Sequence, residues 1–389
     1  MVGWVGEEWV AWRGPVGECR DGSNYTSGSS AMRTEPRRIL IVRPSALGDV
    51  VRSVPLLWSL KGAFPTAKID WIVEDRWADA VRGHPALDSV IEFPKRRFRA
   101  VAWNPVVASE ALGWFLRLSK GTYDLTIDAQ GLARSALMSW MTRAPVRIAA
   151  EGAMEFAWVA ANRRVAIDSA GHVVDGMLRL AQAAGAAPVA DMRLFATPTA
   201  VAAWESRRTA LGITPSYLVV AAANRWEGKR WQAAKWQETL MTLGSDLAGA
   251  GIHDVVWIGG KGEEGQVAQC IPRESQSAGV RHHSLAGSTT VAETMAIIAR
   301  SAFVLSVDSA PAHMAVGFSI PLVALYGASN PDTDGPYGQR EWCLHGGAGA
   351  RLAPRSHRDP ELGSAMMERV SVHDVVAIVR RRLQGVSAR

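Results

Sequence analysis

The chain has 389 residues, which is longer than a domain with a single hydrophobic core usually is. This length suggests two domains of about 150 to 200 residues each. Its composition, 48% hydrophobic and 21% charged, excludes extensive disorder, and its three scattered cysteines, without a C-x-x-C pair, argue against a disulfide framework or a zinc site. No run of about 18 apolar residues indicates a membrane span, while the net charge of +6 favours anionic partners: nucleic acid, a membrane surface or a phosphorylated substrate. We therefore expect a soluble protein of the cytoplasm.

The first 35 or so residues differ from the rest of the chain. Tryptophans stand there among glycines and acids, and the polar tract DGSNYTSGSS follows from Asp21 to Ser30. No basic segment leads into an apolar one, as it would in a signal peptide. We expect residues 1–35 to be a disordered N-terminal extension, with the folded chain starting near Arg37.

From Arg38 onward, short β-branched runs alternate with segments of helical periodicity, which predicts parallel sheets with helical crossovers. The expected strands of the first half are RILIVR, AKIDWIVE, SVIEFP, DLTIDAQ and RVAID, and DVVRSVPLLWSLKGAF is expected to be helical. A Pro- and Ala-rich region over 187–198 precedes a second series, YLVVAAA, DVVWIGG, RHHSLAG, AFVLSVD and PLVALYG. The expected fold is α/β, with two Rossmann-like doubly wound domains, 36–190 and 191–389, facing across a cleft.

The turn after the first strand, in ILIVRPSALGDVVRSVP, lacks the glycine fingerprint of a dinucleotide site. It has one glycine, Gly48, followed by an acid, Asp49. A carboxylate there would repel a phosphate, but it could accept the proton of an attacking hydroxyl as a general base. A simple helix cap is the alternative role.

A second candidate site follows a strand of the second half, in FVLSVDSAPAHMAVGF. Asp308 and Ser309 can cap the next helix, and Pro311 suits its first turn. The free N–H groups and the positive dipole end of such a helix suit a pyrophosphate. The same residues also fit an ordinary capped helix with a hydrogen-bonded histidine, His313.

Together these segments resemble the bacterial lipopolysaccharide heptosyltransferases, glycosyltransferase family 9. The likeness extends from residue 38 to about residue 340 and rests on RPSALGDVVRSVPLL, IDWIVEDRWA, TIDAQGLARSAL, GKRWQAAKW and SVDSAPAHMAVGFSIPLVALYGASNPDTDGPYG. Within the family it is greatest to the members that add the first heptose to the Kdo of lipid A. The resemblance implies a GT-B fold and a transfer of heptose from ADP-heptose to the Kdo or inner core of lipopolysaccharide, without a metal or other cofactor and without a nucleic-acid partner.

The site residues follow from this resemblance and from the chemistry of the side chains. One base, Asp49, and no internal nucleophile imply a single displacement that inverts the anomeric centre. Lys229 matches the family lysine that holds the diphosphate, with Arg225 or Arg230 assisting. Glu263, or its neighbour Glu264, could accept hydrogen bonds from the ribose. The donor-binding candidates are Lys229, Glu263, Asp308, Ser309, Ala310, Ala312 and His313.

The acceptor is expected to bind the first half, at the cytoplasmic face of the inner membrane. The run PKRRFRA gathers four cations around one aromatic residue, which suits carboxylates, phosphates or an anionic surface but also fits a solvated loop. The acceptor-binding candidates are Lys95, Arg96, Arg97, Arg99 and Arg134.

Two departures from the family pattern and several alternatives qualify this interpretation. Ala310 stands where the family usually has glycine, which places a methyl group beside the diphosphate, and the run EGAMEFAW lacks an arginine that the family often has just before Asn162. A nicotinamide dehydrogenase would need a glycine fingerprint, which neither half has. A sugar-nucleotide epimerase, a transferase of another core sugar and a non-catalytic nucleotide-sugar-binding protein remain as alternatives.

Overall fold

The computed structural model of the chain describes residues 35–273, 279–349 and 358–384. The expected disordered extension, apart from residue 35, lies outside the described residues. Within the described part of the chain, no helix has the length and apolar character needed to cross a membrane.

The first half contains one parallel sheet and seven helices among the described residues. Its strands are β1 Arg38–Val42, β2 Lys68–Glu74, β3 Ser89–Phe93, β4 Leu125–Asp128, β5 Val146–Ala150 and β6 Arg163–Val165. Its helices are α1 Leu47–Arg52, α2 Val54–Ala63, α3 Asp79–Arg82, α4 Lys95–Phe98, α5 Pro105–Ser119, α6 Ala133–Met141 and α7 Val173–Ala183. The spatial order β3-β2-β1-β4-β5-β6 places β1 in the middle, where Ile39 pairs with Ile69 on one side and Leu125 on the other.

The second half repeats this arrangement. Its strands are β7 Tyr217–Ala221, β8 Asp254–Trp257, β9 Arg281–Ser284, β10 Phe303–Val307, β11 Leu322–Tyr326 and β12 Cys343–His345. The helices described there are α8 Pro198–Ala210, α9 Ala233–Gly249, α10 Glu264–Cys270, α11 Val291–Ala299, α12 Ala310–Gly317, α13 Pro331–Asp334, α14 Pro360–Glu368 and α15 Val372–Gln384. The parallel order β12-β11-β10-β7-β8-β9 again sets the first strand of the half beside its fourth. The expected α/β fold with two doubly wound sheets is thus confirmed.

The details differ from the sequence expectation in five places. The strands β5 and β12 were not expected, and RVAID contributes only its first two residues to β6, which starts at Arg163. The helical segment 49–64 divides at Ser53, because Pro55 in the first turn of α2 has no N–H to continue the helical hydrogen bonds. The basic run PKRRFRA, which could have been a loop, forms the short helix α4.

Tryptophans anchor the core of the second half. Trp236 packs edge-to-face against Trp231 and Trp257, with ring centroids 5.2 and 6.2 Å apart. The indole N–H of Trp231 donates to the carbonyl of Val370 at 3.0 Å. Because Trp231 follows Lys229 by two residues, this packing fixes the loop that carries the lysine.

A buried carboxylate stabilises the end of the second sheet that lies opposite the Lys229 loop. Asp254, the first residue of β8, is fully buried and accepts hydrogen bonds from Thr214, Arg281 and His283. Burial raises the pKa of Asp254, but the bonds from Thr214, His283 and Arg281 outweigh it and hold the pKa at about 2, below its ordinary 3.8. This residue therefore stabilises the fold in its ionised form.

Asp254→Asn should lower the free energy of unfolding by about 2 kcal/mol at pH 7, because the ionised form is bound more tightly in the folded chain than in the unfolded chain. The contribution is complete above about pH 4 and is lost as the pH falls toward about 2, so the two proteins should converge there. Urea unfolding at several pH values measures the difference. Asp246→Asn, which removes the surface pair with Arg380, is the control and should change little. An equal difference at all pH values would contradict this role.

Candidate active site

The two halves meet where the carboxyl ends of their central strands face each other. The turn after β1 leads into α1, and the turn after β10 leads into α12. A Cβ atom built on Gly48 would lie 3.4 Å from Cδ2 of His313 and 3.7 Å from Cα of Ala310. The structure therefore brings the candidate base and the candidate donor-binding helix, which are some 260 residues apart in sequence, into one site.

Asp49 is held by two arginines. Its carboxylate lies 2.5 Å from Arg52 and 3.3 Å from Arg43, and it accepts the backbone N–H of Ala46 at 3.2 Å. Burial raises the pKa of Asp49, but the charges of Arg43 and Arg52 outweigh burial and hold the pKa well below its usual range. The carboxylate is thus ionised at neutral pH and able to accept a proton, and its side chain is still 29% exposed.

Arg52 also binds the second half. Its guanidinium, 12% exposed, donates to Oδ1 of Asp334 at 3.2 Å and to the carbonyl of the same residue at 3.1 Å. Nearby, the His172 ring contacts the carbonyl of Gly335 at 3.0 Å. One partly buried cation therefore bridges the candidate base and a carboxylate on α13.

On the donor side, Lys229 and Asp308 form a partly buried ion pair. The Lys229 ammonium lies 2.5 Å from Oδ2 of Asp308, and the two side chains are 16% and 8% exposed. Asn224 donates to the Asp308 carbonyl at 2.8 Å. Burial raises the pKa of Asp308, but the Lys229 charge outweighs it and lowers the pKa below its usual value. Two of the ammonium's three N–H donors remain available to a ligand.

The helix α12 presents small residues and a neutral histidine to this site. His313 is buried, and burial, assisted by the charge of Arg52, lowers its pKa to about 3. It can therefore donate a hydrogen bond but contributes no charge at neutral pH, and its Nδ1 has no hydrogen-bond partner among the described residues. Ser309 is the N-cap residue, but its hydroxyl contacts that of Ser306 at 3.0 Å and does not cap the helix. Ala312 is fully buried in the first turn.

The two candidate ribose ligands lie in the loop after β8. Glu263 accepts the backbone N–H of Gly260 at 2.7 Å, and Glu264 accepts that of Gly262 at 3.1 Å. Glu264 also covers Gly287, where an added Cβ would lie 1.9 Å from its Oε1. Glu263 is the less exposed of the two.

The assisting arginines of the donor loop are held by their neighbours. Arg230 donates to the carbonyl of Asn224 at 2.7 Å, and Arg225 lies over the Trp226 ring, 4.7 Å from its centroid.

The five acceptor candidates lie on one face of the first sheet, but some of their side chains already have a partner within the protein. Lys95 pairs with Glu74, which is only 1% exposed, and Arg97 pairs with Glu110. Arg134 lies over the ring of Phe93, 5.7 Å from its centroid, and Phe98 of α4 packs on the same ring. Among the described residues, the exposed Arg96 and Arg99 have no ion-pair partner. Lys95 and Arg97 therefore have structural partners that sequence reasoning did not anticipate.

Sequence reasoning missed several residues that shape the site: Arg43, Arg52, Asp128 and Asp334. Asp128, buried at the end of β4, accepts the N–H groups of Gln130 and Gly131 and the hydroxyl of Ser135. Gln130 in turn accepts the backbone N–H of Ser45 at 3.1 Å, so the turns after β4 and β1 are joined. The motif TIDAQGLARSAL pointed to this turn but not to its role. Among the described residues, no group of three or more His, Cys, Asp or Glu is arranged to hold a metal ion.

Comparison with known proteins agrees with this geometry. Residues 114–360 match the family model Glycosyltransferase family 9 (heptosyltransferase). The chain belongs to this family. The expected family and the expected glycosyltransferase activity are thereby confirmed, and the dehydrogenase interpretation is set aside.

Curated relatives and solved structures extend the match over most of the chain. Lipopolysaccharide heptosyltransferase 1 of Pseudomonas aeruginosa is 28% identical over 326 residues, which are 82% of this chain and 85% of the relative. The Escherichia coli K12 protein of the same name is 26% identical over 356 residues, 86% and 99% of the two chains. The crystal structure of a family 9 glycosyl transferase from Veillonella parvula superposes with a TM-score of 0.75 at 20% identity, covering 92% of this chain and 100% of that one. The structure of E. coli heptosyltransferase WaaC with ADP gives a TM-score of 0.69 at 24% identity, covering 89% and 99%. These neighbours confirm the GT-B type of fold.

Arg52→Gln should raise the pKa of Asp49, because one of the two cations that stabilise its ionised form is removed while Arg43 remains. A ¹³C NMR titration of aspartate-labelled protein without substrate measures the shift. Arg38→Gln is the matched control, since Arg38 pairs with Asp70 at 3.1 Å near the other end of β1. An Asp49 resonance that titrates identically in both variants would show that Arg52 does not control this carboxylate.

Proposed function

We propose that the protein is an inverting heptosyltransferase that moves heptose from ADP-heptose to the Kdo or inner core of lipopolysaccharide. The observation that carries this proposal is the meeting of the Asp49 turn with α12 across the two halves, which sets a base beside a helix N-terminus suited to a diphosphate. Family membership and the names of the curated relatives support the donor and the acceptor class. We assign acceptor binding to a domain over 36–190 and donor binding to a domain over 191–389.

The proposed reaction is one displacement at the anomeric carbon. The acceptor hydroxyl oxygen forms the new bond, its proton passes to Asp49, and the bond to the diphosphate oxygen breaks so that ADP leaves with the electron pair. Because the nucleophile and the leaving group occupy opposite faces of the carbon, the configuration inverts. The low pKa of Asp49 makes it a weak base at rest, so the proton transfers as the forming bond acidifies the hydroxyl.

The departing diphosphate is stabilised from the second half. Lys229 supplies a positive charge and free N–H donors, and the N-terminus of α12 supplies backbone donors from the stretch Ser309 to Ala312. His313 adds a neutral donor, and Asp308 orients Lys229 or binds sugar hydroxyls. Either Glu263 or Glu264 holds the ribose. In this proposal the chain's own cations neutralise the diphosphate, so transfer should persist in EDTA.

We propose that the acceptor is bound by the cations of the first half that are not paired with an acid among the described residues. Arg96, Arg99 and Arg134 lie together on the first half and would bind carboxylates and phosphates of the acceptor core. Lys95 and Arg97 contribute charge to the same patch while paired with Glu74 and Glu110. The acceptor is a lipid, so we place the reaction at the cytoplasmic face of the inner membrane.

Incubation of the protein with ADP-heptose, with and without a Kdo-terminated lipid A acceptor, tests the function. Asp49→Asn should lower kcat by roughly 100-fold to 10,000-fold and leave the affinity for ADP nearly unchanged, because the amide keeps the shape but cannot take the proton. Asp79→Asn, at a surface pair with Arg82, is the control. Release of ADP without any acceptor-linked heptose would favour an epimerase or hydrolase, and equal losses of rate and ADP affinity would move Asp49 to the donor side.

Lys229→Ala should weaken ADP binding by about 2 kcal/mol, roughly 30-fold in Kd, because a buried charge-assisted contact is lost and Asp308 is left without its counter-charge. Isothermal titration calorimetry measures this change. Lys61→Ala is the matched control, since Lys61 pairs with Asp88 at 3.6 Å in the first half, outside the proposed donor site. If both variants bind ADP like the wild type, Lys229 does not hold the diphosphate.

A further inference from the structure

One face of the first sheet is covered by a layer whose outer surface is apolar. The layer consists of α4, α5, α6, the short helical turn Ala157–Ala160, which packs on α6, and the loops that lead into α5 and into this turn. The inner side of the layer packs on the sheet: Trp114, Leu118 and Met138 form a hydrophobic core with residues of β1 and β2. The apolar residues on its outer side therefore contribute nothing to this core.

These outer residues are concentrated in one part of the sequence. Ten of the thirteen exposed large hydrophobic residues in the described chain lie between residues 101 and 159. Trp103 is 74% exposed and Phe156 is 78% exposed, and Val106, Leu112 and Trp140 are each at least 58% exposed. Isolated exposed apolar side chains are normal, but such a concentration on one layer marks an interaction surface.

The same stretch carries the positive charge of the protein. Residues 95–164 contain eleven Lys and Arg against five Asp and Glu, a net +6 that equals the formal net charge of the whole chain. The rest of the chain is therefore neutral as a whole. Cations of this layer include Arg96 and Arg99, which have no ion-pair partner among the described residues, so their charge is open to an outside anion.

We infer that this layer docks on an anionic lipid bilayer, with Trp103 and Phe156 inserting at the headgroup level. Aromatic side chains beside Arg and Lys are typical of surfaces that enter a bilayer interface, and the net charge of +6 in this stretch is complementary to anionic headgroups. The inference rests on the proposed function for the membrane location of the acceptor. It adds an apolar anchor to that location: α4 belongs to both the layer and the acceptor patch, so docking would bring the patch to the lipid surface.

Vesicle flotation of the full-length protein tests the inference, with vesicles that contain phosphatidylglycerol but no acceptor. Wild-type protein should float with these vesicles and much less with pure phosphatidylcholine, because the cations require anionic headgroups. The double variant Trp103→Ser, Phe156→Ser should reduce the bound fraction about tenfold. The matched control is Leu211→Ser, Leu362→Ser, which removes exposed apolar residues outside the layer and should leave binding unchanged. Thermal unfolding checks that each variant is folded.

Transfer to a detergent-dispersed acceptor separates this inference from the proposed function. The double variant should keep wild-type rates in detergent and lose rate on vesicle-embedded acceptor. Wild type that fails to float, or a double variant that floats like wild type, overturns the inference even if transfer is observed. A wild-type dimer that the double variant converts to a monomer, with flotation unchanged, would assign the layer to a second copy of the chain. Flotation that appears only after deletion of residues 1–34 would assign it to the chain's own N-terminal segment.

Discussion

The site depends on one partly buried cation, Arg52, that bonds a carboxylate in each half. Its partners are Asp49 on the same helix and Asp334 on α13. Burying a guanidinium is costly unless it is paired, and removing either carboxylate would leave charge uncompensated. The pairing therefore holds the base close to the second half even without a ligand. Gly48 permits the approach, because the turn lies directly against His313 and Ala310.

The two sheets have the same strand order, which explains why the bonds of Arg52 across the two halves bring both sets of candidate residues together. In each half the first strand lies beside the fourth, and the chain leaves their carboxyl ends at the point where the order reverses. One such point carries Asp49 and the other carries Asp308 with Lys229. Because the two points face each other, the candidate base and the candidate diphosphate-binding residues lie in one site. Each half also supplies a counter-charge to its own candidate residue, Arg43 and Arg52 to Asp49 and Lys229 to Asp308.

The sequence predicted the parts of this arrangement that are local. Long β-branched runs predicted the central strands, and the residues just after them, Asp49 and Asp308, were predicted as site residues because strand ends and helix starts coincide there. The short edge strand β12 was missed because three residues carry too little periodicity. The Arg52–Asp334 bond spans 282 positions, so no local pattern could reveal it. Likewise, the run PKRRFRA did not show that Lys95 is paired with a buried acid from β2.

The cations of this protein therefore fall into two groups with different tasks. Arg52 and Lys229 are partly buried and each is paired with an acid, and these pairs set the geometry and the charge state of the candidate site. Cations such as Arg96 and Arg99 are exposed and have no ion-pair partner among the described residues, so their charge is open to an outside anion and is screened by salt. A net charge read from composition adds both groups together. The charges that indicate a partner are those of the second group, and here they lie beside exposed aromatic residues on one layer of the first half.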